Sequence, residues 1–133
     1  MAPVMLPMPP RTAATNARQN AHAPFSKFQV GAAVQDVDGR IYTGCNVENA
    51  TYGLTVCAER IAMFKAISEG ARRFTRVAVV ADTETLTPPC GACRQILWEF
   101  CGNVEIVLAN LAGKTETLQL STLFPRAFDA SFL

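Results

Sequence analysis

Val77-Ala78-Val79-Val80-Ala81 is an unbroken apolar run of strand length, and after a loop it leads to Pro89-Cys90-Gly91-Ala92-Cys93 and a helical stretch reaching about Phe100. An apolar run without polar alternation reads as a central strand covered on both faces. Gly102 stops the helix, and Val104 to Leu108 reads as the next strand. Strand, helix, strand in this order predicts an α/β sheet. Upstream, residues 28–34 and Ile41 to Cys45 read as two antiparallel strands joined at Asp38-Gly39. From Cys57 to Ser68 the sequence is apolar on nearly every side, which predicts a buried helix ending at Gly70. Downstream, a turn near Ala112-Gly113 leads to a weaker strand over 115–120, with Ser121 able to cap a last helical turn. At the front, Arg11 to Ala21 is rich in helix formers, with Thr12 or Thr15 as the cap and Pro24 beyond its end.

Two short motifs carry the chemistry. Cys57-Ala58-Glu59 opens one predicted helix and Pro89-Cys90-Gly91-Ala92-Cys93 opens another. Cys90 and Cys93 lie one turn apart on the same helix face. Three thiolates can hold zinc while leaving its fourth tetrahedral position open, and an open position beside a carboxylate is how zinc activates water. Glu59 is placed to serve that water without being a ligand. Helix N-termini favour negative charge, so both motifs sit where thiolates are stabilised. Three thiolates leave zinc with net negative charge, and Arg60, beside Glu59, is the candidate cation to offset it. The alternative for Arg60 is a solvated helix charge. Arg94 and Gln95 stand either beside the metal ligands or on the surface.

Length and composition set the bounds. A chain of 133 residues is long enough for one domain that buries roughly 70% of its unfolded surface. Residues 1–10, broken by prolines and without a basic start, fail as a secretory signal and are expected to be a disordered lead-in to a single catalytic domain over 11–133. The net charge of +1 and the scattered Lys and Arg argue against a nucleic-acid partner. No apolar run is long enough to span a bilayer, so no membrane partner is expected. An odd count of 5 cysteines without an export signal suggests reduced thiols and a cytoplasmic location, with metal binding ahead of disulfides. Cys45 and Cys101 are expected to fill the core, and His22 to be a cap or surface residue. Asn46 and Glu48 flank Val47 in an alternating stretch, so both side chains point the same way, either to solvent or to vicinal hydroxyls of a sugar.

Cys-x-Glu followed by Pro-Cys-x-x-Cys matches the motif of zinc nucleobase deaminases. Together with Ala23-Pro24-Phe25-Ser26-Lys27-Phe28-Gln29-Val30-Gly31-Ala32-Ala33 and Gly44-Cys45-Asn46-Val47-Glu48-Asn49-Ala50, it makes the chain resemble the small, homotetrameric type of cytidine deaminase, from about Ala23 to Phe128. The resemblance implies a three-layer αβα fold around a mixed five-stranded sheet, with zinc on Cys57, Cys90 and Cys93. It implies hydrolysis of cytidine and deoxycytidine to the uridines and ammonia in pyrimidine salvage, with Glu59 as proton shuttle. It also implies substrate contacts from Phe28, Asn46, Glu48 and Ala58, and a base pocket closed by Phe128 of a neighbouring subunit. Departures are Phe25, where tyrosine is frequent, and the proline-rich start. Two rivals remain at this level: a different cytosine-type substrate, such as a nucleoside antibiotic or a polynucleotide base, and a non-catalytic zinc module with Cys45 or Cys101 as fourth thiolate.

Overall fold

In the computed structural model, which describes residues 9–133, five strands form one mixed sheet in the order β2-β1-β3-β4-β5. The strands are β1 (Val30–Asp36), β2 (Ile41–Cys45), β3 (Phe74–Ala81), β4 (Glu105–Ala109) and β5 (Thr115–Gln119). Only β3 and β4 run parallel, and the helix between them makes the crossover. The helices are α1 (Pro10–Arg18), α2 (Ala58–Ser68), α3 (Gly91–Cys101) and the single turn α4 (Leu120–Leu123). Most of the expected lead-in, residues 1–8, lies outside the described residues.

The central strand β3 is covered twice. Its Ala78 and Val80 join Ala13, Ala14, Ala33 and Ala109 under α1, while Val77, Val79 and Ala81 join Ala62, Met63 and Leu97 under α2 and α3. This is the three-layer arrangement expected. The α1 side is lined mostly by alanine, which lets the helix approach closely. A Cβ on Gly31 would lie 1.9 Å from the Ala14 carbonyl oxygen.

The differences from expectation have local causes. Helix α1 begins at Pro10 and not Arg11, because proline's fixed φ suits the first helical position. It ends at Arg18 and not Ala21, since the amides of Gln19, Asn20 and Ala21 bond three residues back in a tightened turn. Neither threonine caps it, and Thr15 Oγ1 instead donates to the Arg11 carbonyl. Strand β1 starts at Val30 and not Phe28, because side chains occupy the backbone of Phe28. Its N–H donates to Ser26 Oγ at 3.0 Å, and its carbonyl accepts from Asn46 Nδ2 at 2.7 Å. Helix α2 is buried along one face only, through Ala58, Glu59, Ala62, Met63 and Ala66. Phe64 stands exposed on its other side. Its end at Gly70 is as expected: φ there is +97°, and the amides of Gly70 and Ala71 bond back to Ile67 and Ala66 in a Schellman closure. Ser121 lies inside α4 and not at its start, its N–H bonded to Asn103 Oδ1.

Candidate active site

Gly44 sets the position of the site. On β2 it faces the first turn of α2 so closely that a Cβ would lie 2.5 Å from both the Ala58 carbonyl oxygen and the Ala62 nitrogen. The start of α2 is thereby pressed against the sheet, which places Cys57 and Glu59 beside the end of β3. Helix α3 starts at the same edge. Cys57 and Cys90 are the N-cap residues of α2 and α3, and Cys93 is buried in the first turn of α3.

The three sulfurs lie within 4.8 Å of one another, and Cys57 Sγ is 3.8 Å from Cys90 Sγ. Tetrahedral zinc with Zn–S bonds of about 2.3 Å requires sulfur pairs about 3.8 Å apart, so the donor set fits this metal. Among the described residues no fourth cysteine joins the cluster. Cys101 Sγ instead lies 3.5 Å from Met63 Sδ in the core, and burial pushes its thiol up to about 12. Cys45 sits on β2 opposite Gly31. That arrangement tells against a structural four-thiolate module.

Hydrogen bonding from Cys93, followed by contacts with Arg60 and Cys90, brings the Cys57 thiol down to about 5, against the cost of burial. Cys93 is pushed up, first by its proton's engagement with Cys57 and then by burial. Arg60 Nη2 lies 3.6 Å from Cys57 Sγ and 3.3 Å from the Thr55 carbonyl, and its Nε is buried without an acceptor among the described residues. The partly buried cation therefore lies against the thiolates. Glu59 is 4% exposed, and burial, with a contribution from the Cys57 charge, raises its carboxyl to about 7. A carboxyl poised there can both take and give a proton near neutral pH.

A cavity of about 310 Å³ opens onto this cluster, at the small end of ligand pockets, which run roughly 300–1,000 Å³. Phe28, Asn46, Glu48, Ala58 and Glu59 all line it, so the expected contacts converge with two of the three cysteines, Cys57 and Cys90. Asn46 is buried, donating through Nδ2 to the Phe28 carbonyl and accepting from the Val30 amide at 2.9 Å. Glu48 Oε1 accepts from the amides of Phe25 and Ser26, and Oε2 accepts from the Ser26 hydroxyl. These bonds, led by the Ser26 hydroxyl, hold the Glu48 carboxyl below its ordinary range. Each group thus braces the 23–28 loop and still has capacity left: a carboxylate offers about four acceptor sites, and the amide keeps one hydrogen and one lone pair.

Phe128 does not reach this cavity. It follows α4 in the C-terminal segment, half exposed and stacked on Phe132 with centroids 5.7 Å apart. His22 acts through its backbone, accepting from the Glu48 amide and donating to the Asn46 carbonyl, while its side chain is exposed. Ser26, Thr55, Val79, Thr87 and Pro88 also line the cavity without having been singled out by chemistry. Thr87 and Pro88 directly precede Pro89-Cys90, a proximity that could have flagged them.

Comparison with known proteins agrees with this geometry. Residues 11–109 match the family model described as the cytidine and deoxycytidylate deaminase zinc-binding region. The chain is 54% identical over 113 residues to a cytidine deaminase of Sporosarcina psychrophila, covering 84% of this chain and 83% of that protein. Against a cytidine deaminase of Halalkalibacterium halodurans the identity is 52% over 118 residues, covering 88% and 89%. Among solved structures, a cytidine deaminase from Burkholderia pseudomallei superposes with a TM-score of 0.87 at 46% identity, covering 90% of this chain and 96% of that one. The matched region begins in α1, ends with β4 and contains both cysteine motifs, so the chain belongs to the zinc-dependent cytidine and deoxycytidylate deaminase family.

Proposed function

We propose that this protein hydrolyses the exocyclic amine of cytidine and deoxycytidine, releasing ammonia and leaving uridine or deoxyuridine. One observation carries the proposal above the others: a buried carboxyl, Glu59, raised to about 7, shares a small cavity with a three-thiolate cluster that has no fourth protein donor among the described residues. Zinc held by Cys57, Cys90 and Cys93 would supply an activated water when bound. Glu59 takes one proton from that water and delivers it to N3 of the pyrimidine as the oxygen bonds to C4; it then takes the second proton from that oxygen and passes it to the exocyclic nitrogen, which leaves as ammonia when the C4–N bond breaks. Arg60, with Nη2 3.6 Å from Cys57 Sγ, offsets the thiolate charge.

Phe28 and the backbone at Ala58 bind the base, and the remaining capacity of Asn46 and Glu48 takes ribose hydroxyls. Their existing bonds to the 23–28 loop pre-orient them, so binding requires little reorganisation. Phe128 closes the pocket of a neighbouring subunit in a homotetramer, a role supported by its exposure and its absence from its own chain's cavity lining. Residues 11–133 act as one catalytic domain in cytoplasmic pyrimidine salvage. In support, all five cysteines are free and, among the described residues, no helix is long and apolar enough to cross a membrane.

The test is ammonia release from a panel of nucleosides, free bases, nucleotides and cytosine-containing antibiotics. Cytidine and deoxycytidine are expected to be turned over with the highest kcat/KM. A preference for an antibiotic or for a free base would overturn the ribose assignment, and no turnover of any member would overturn the enzyme.

A further inference from the structure

Three side chains on one stretch of α3 hold the C-terminal segment, and the same stretch carries the metal-site cysteines. Arg94 follows Cys93 directly. Its guanidinium is a fork between two backbone carbonyls: Nε donates to Pro89 at 2.7 Å, and Nη1 donates to Leu123 at 2.6 Å. Pro89 is buried and immediately precedes Cys90, while Leu123 is the last residue of α4, from which the C-terminal segment departs. Gln95 Nε2 donates to the Phe128 carbonyl at 2.9 Å, and Trp98 Nε1 donates to Asp129 Oδ2 at 3.1 Å. Trp98 also packs edge-on against Phe124, with centroids 6.3 Å apart. Within the single chain most side chains of the segment are exposed, so these tethers are a large part of what holds it to its own α3.

We propose that Arg94 is a positioning residue that couples zinc loading to docking of residues 124–133. The proposal rests on the reading that the three thiolates hold zinc. A metal bound by Cys90 and Cys93 fixes the Pro89–Cys90 peptide, which fixes one carbonyl of the Arg94 fork and orients the other arm toward Leu123. Planar guanidinium geometry matters here because a lysine ammonium, a point donor, does not span two carbonyls in the same way. Coupling of this kind is reciprocal: whatever zinc does for the segment, the segment does for zinc.

Hydrogen exchange on the full chain, zinc-loaded, stripped by a chelator and reconstituted, reads the coupling directly, and Trp98, the 1 tryptophan of the chain, gives a fluorescence signal from the same place. Stripping zinc is expected to speed exchange in residues 124–133 about tenfold, an ordinary size for coupling between sites, while residues 77–81 stay protected. Arg94→Lys is expected to show fast exchange in the segment whether or not zinc is present. From the other side, Phe124→Ala is expected to speed zinc release to a chelator about tenfold with residues 77–81 unaffected.

Exchange in 124–133 that ignores zinc in the wild type, or an Arg94→Lys segment that still responds as the wild type does, would overturn the coupling. If Arg94→Lys does not fold, unchanged zinc release from Phe124→Ala overturns it as well. Exchange rising equally in 77–81 would mean general unfolding in place of a specific link, and it too would overturn the coupling. A protein that takes up no zinc at all is a different result, and it would bring down the functional reading itself.

Discussion

Gly44→Ala tests how the fold places the chemistry. The added methyl would start 2.5 Å from backbone atoms of Ala58 and Ala62, whereas ordinary contacts begin at 3.4 Å. Backbone cannot rotate away as a flexible side chain can, so the first turn of α2 must recede by about 0.9 Å, the difference between those two distances. Overpacking of this kind costs about 1–3 kcal/mol. For a chain of this size that is a fall in Tm of about 3–15 °C. Cys57 and Glu59 move with the turn, while Asn46 and Glu48, on the chain beyond β2, do not. A misplacement of about 1 Å in catalytic geometry costs on the order of 10²-fold in rate. Steady-state kinetics on zinc-loaded Gly44→Ala are therefore expected to give kcat lower by about that factor with a smaller change in KM. Gly53→Ala is the control, since a Cβ there meets nothing within 4 Å, and it is expected to be near neutral. A Gly44→Ala enzyme with wild-type kcat, or one that loses only KM, would refute the claim that this contact positions the site.

Glu59→Gln is expected to retain zinc and lose more than the roughly 10²–10⁴-fold typical of one acid–base group, because the residue makes several transfers; near-normal turnover would end the mechanism. In the zinc-free protein the same change has a pH signature. The folded carboxyl, raised from 4.5 to about 7, favours the protonated state, so its stabilising contribution is complete below pH 4.5 and is lost as pH rises through 7. Zinc-free Glu59→Gln is therefore expected to exceed zinc-free wild type by up to about 3 kcal/mol at pH 8, with little difference at pH 4, in denaturant titrations. Arg60→Ala is expected to leave the thiolate charge less offset, raise the pKa of the water activated at the site and move the acid limb of kcat/KM to higher pH; an unshifted limb would reduce Arg60 to a surface charge. Phe128→Ala is expected to raise KM by the equivalent of about one to a few kcal/mol. Mixed with Glu59→Gln subunits, it is expected to regain activity at low substrate, whereas mixtures no better than the mean of their parents would refute a shared site.

Much of this was legible in the sequence because it rests on local rules. The apolar run at Val77 to Ala81 has strand length and reads as a strand covered on both faces, and Gly70 and Gly102 mark the ends of the two helices that the cysteine motifs open. That pairing of motif and helix start is why Cys57 could be expected to gather at one point with Cys90 and Cys93, more than thirty residues later in the chain. Ser26 was not foreseen as cavity lining, because it reaches the cavity only when the 23–28 loop closes on Glu48 across more than twenty residues of chain. For the same reason Phe28 could not be seen to leave β1: its backbone partners are side chains, and no periodicity records them. The exposed side of α2 was missed for another reason. Phe64 is apolar wherever it points, and sequence alone does not show that its outward contact is Phe100.

Zinc K-edge X-ray absorption on the loaded protein tests the central claim most directly. Three sulfurs at about 2.3 Å and one oxygen or nitrogen neighbour are expected, which leaves one position for water beside Glu59. Four sulfurs around the metal would contradict it, since a closed thiolate site has no place for the reaction.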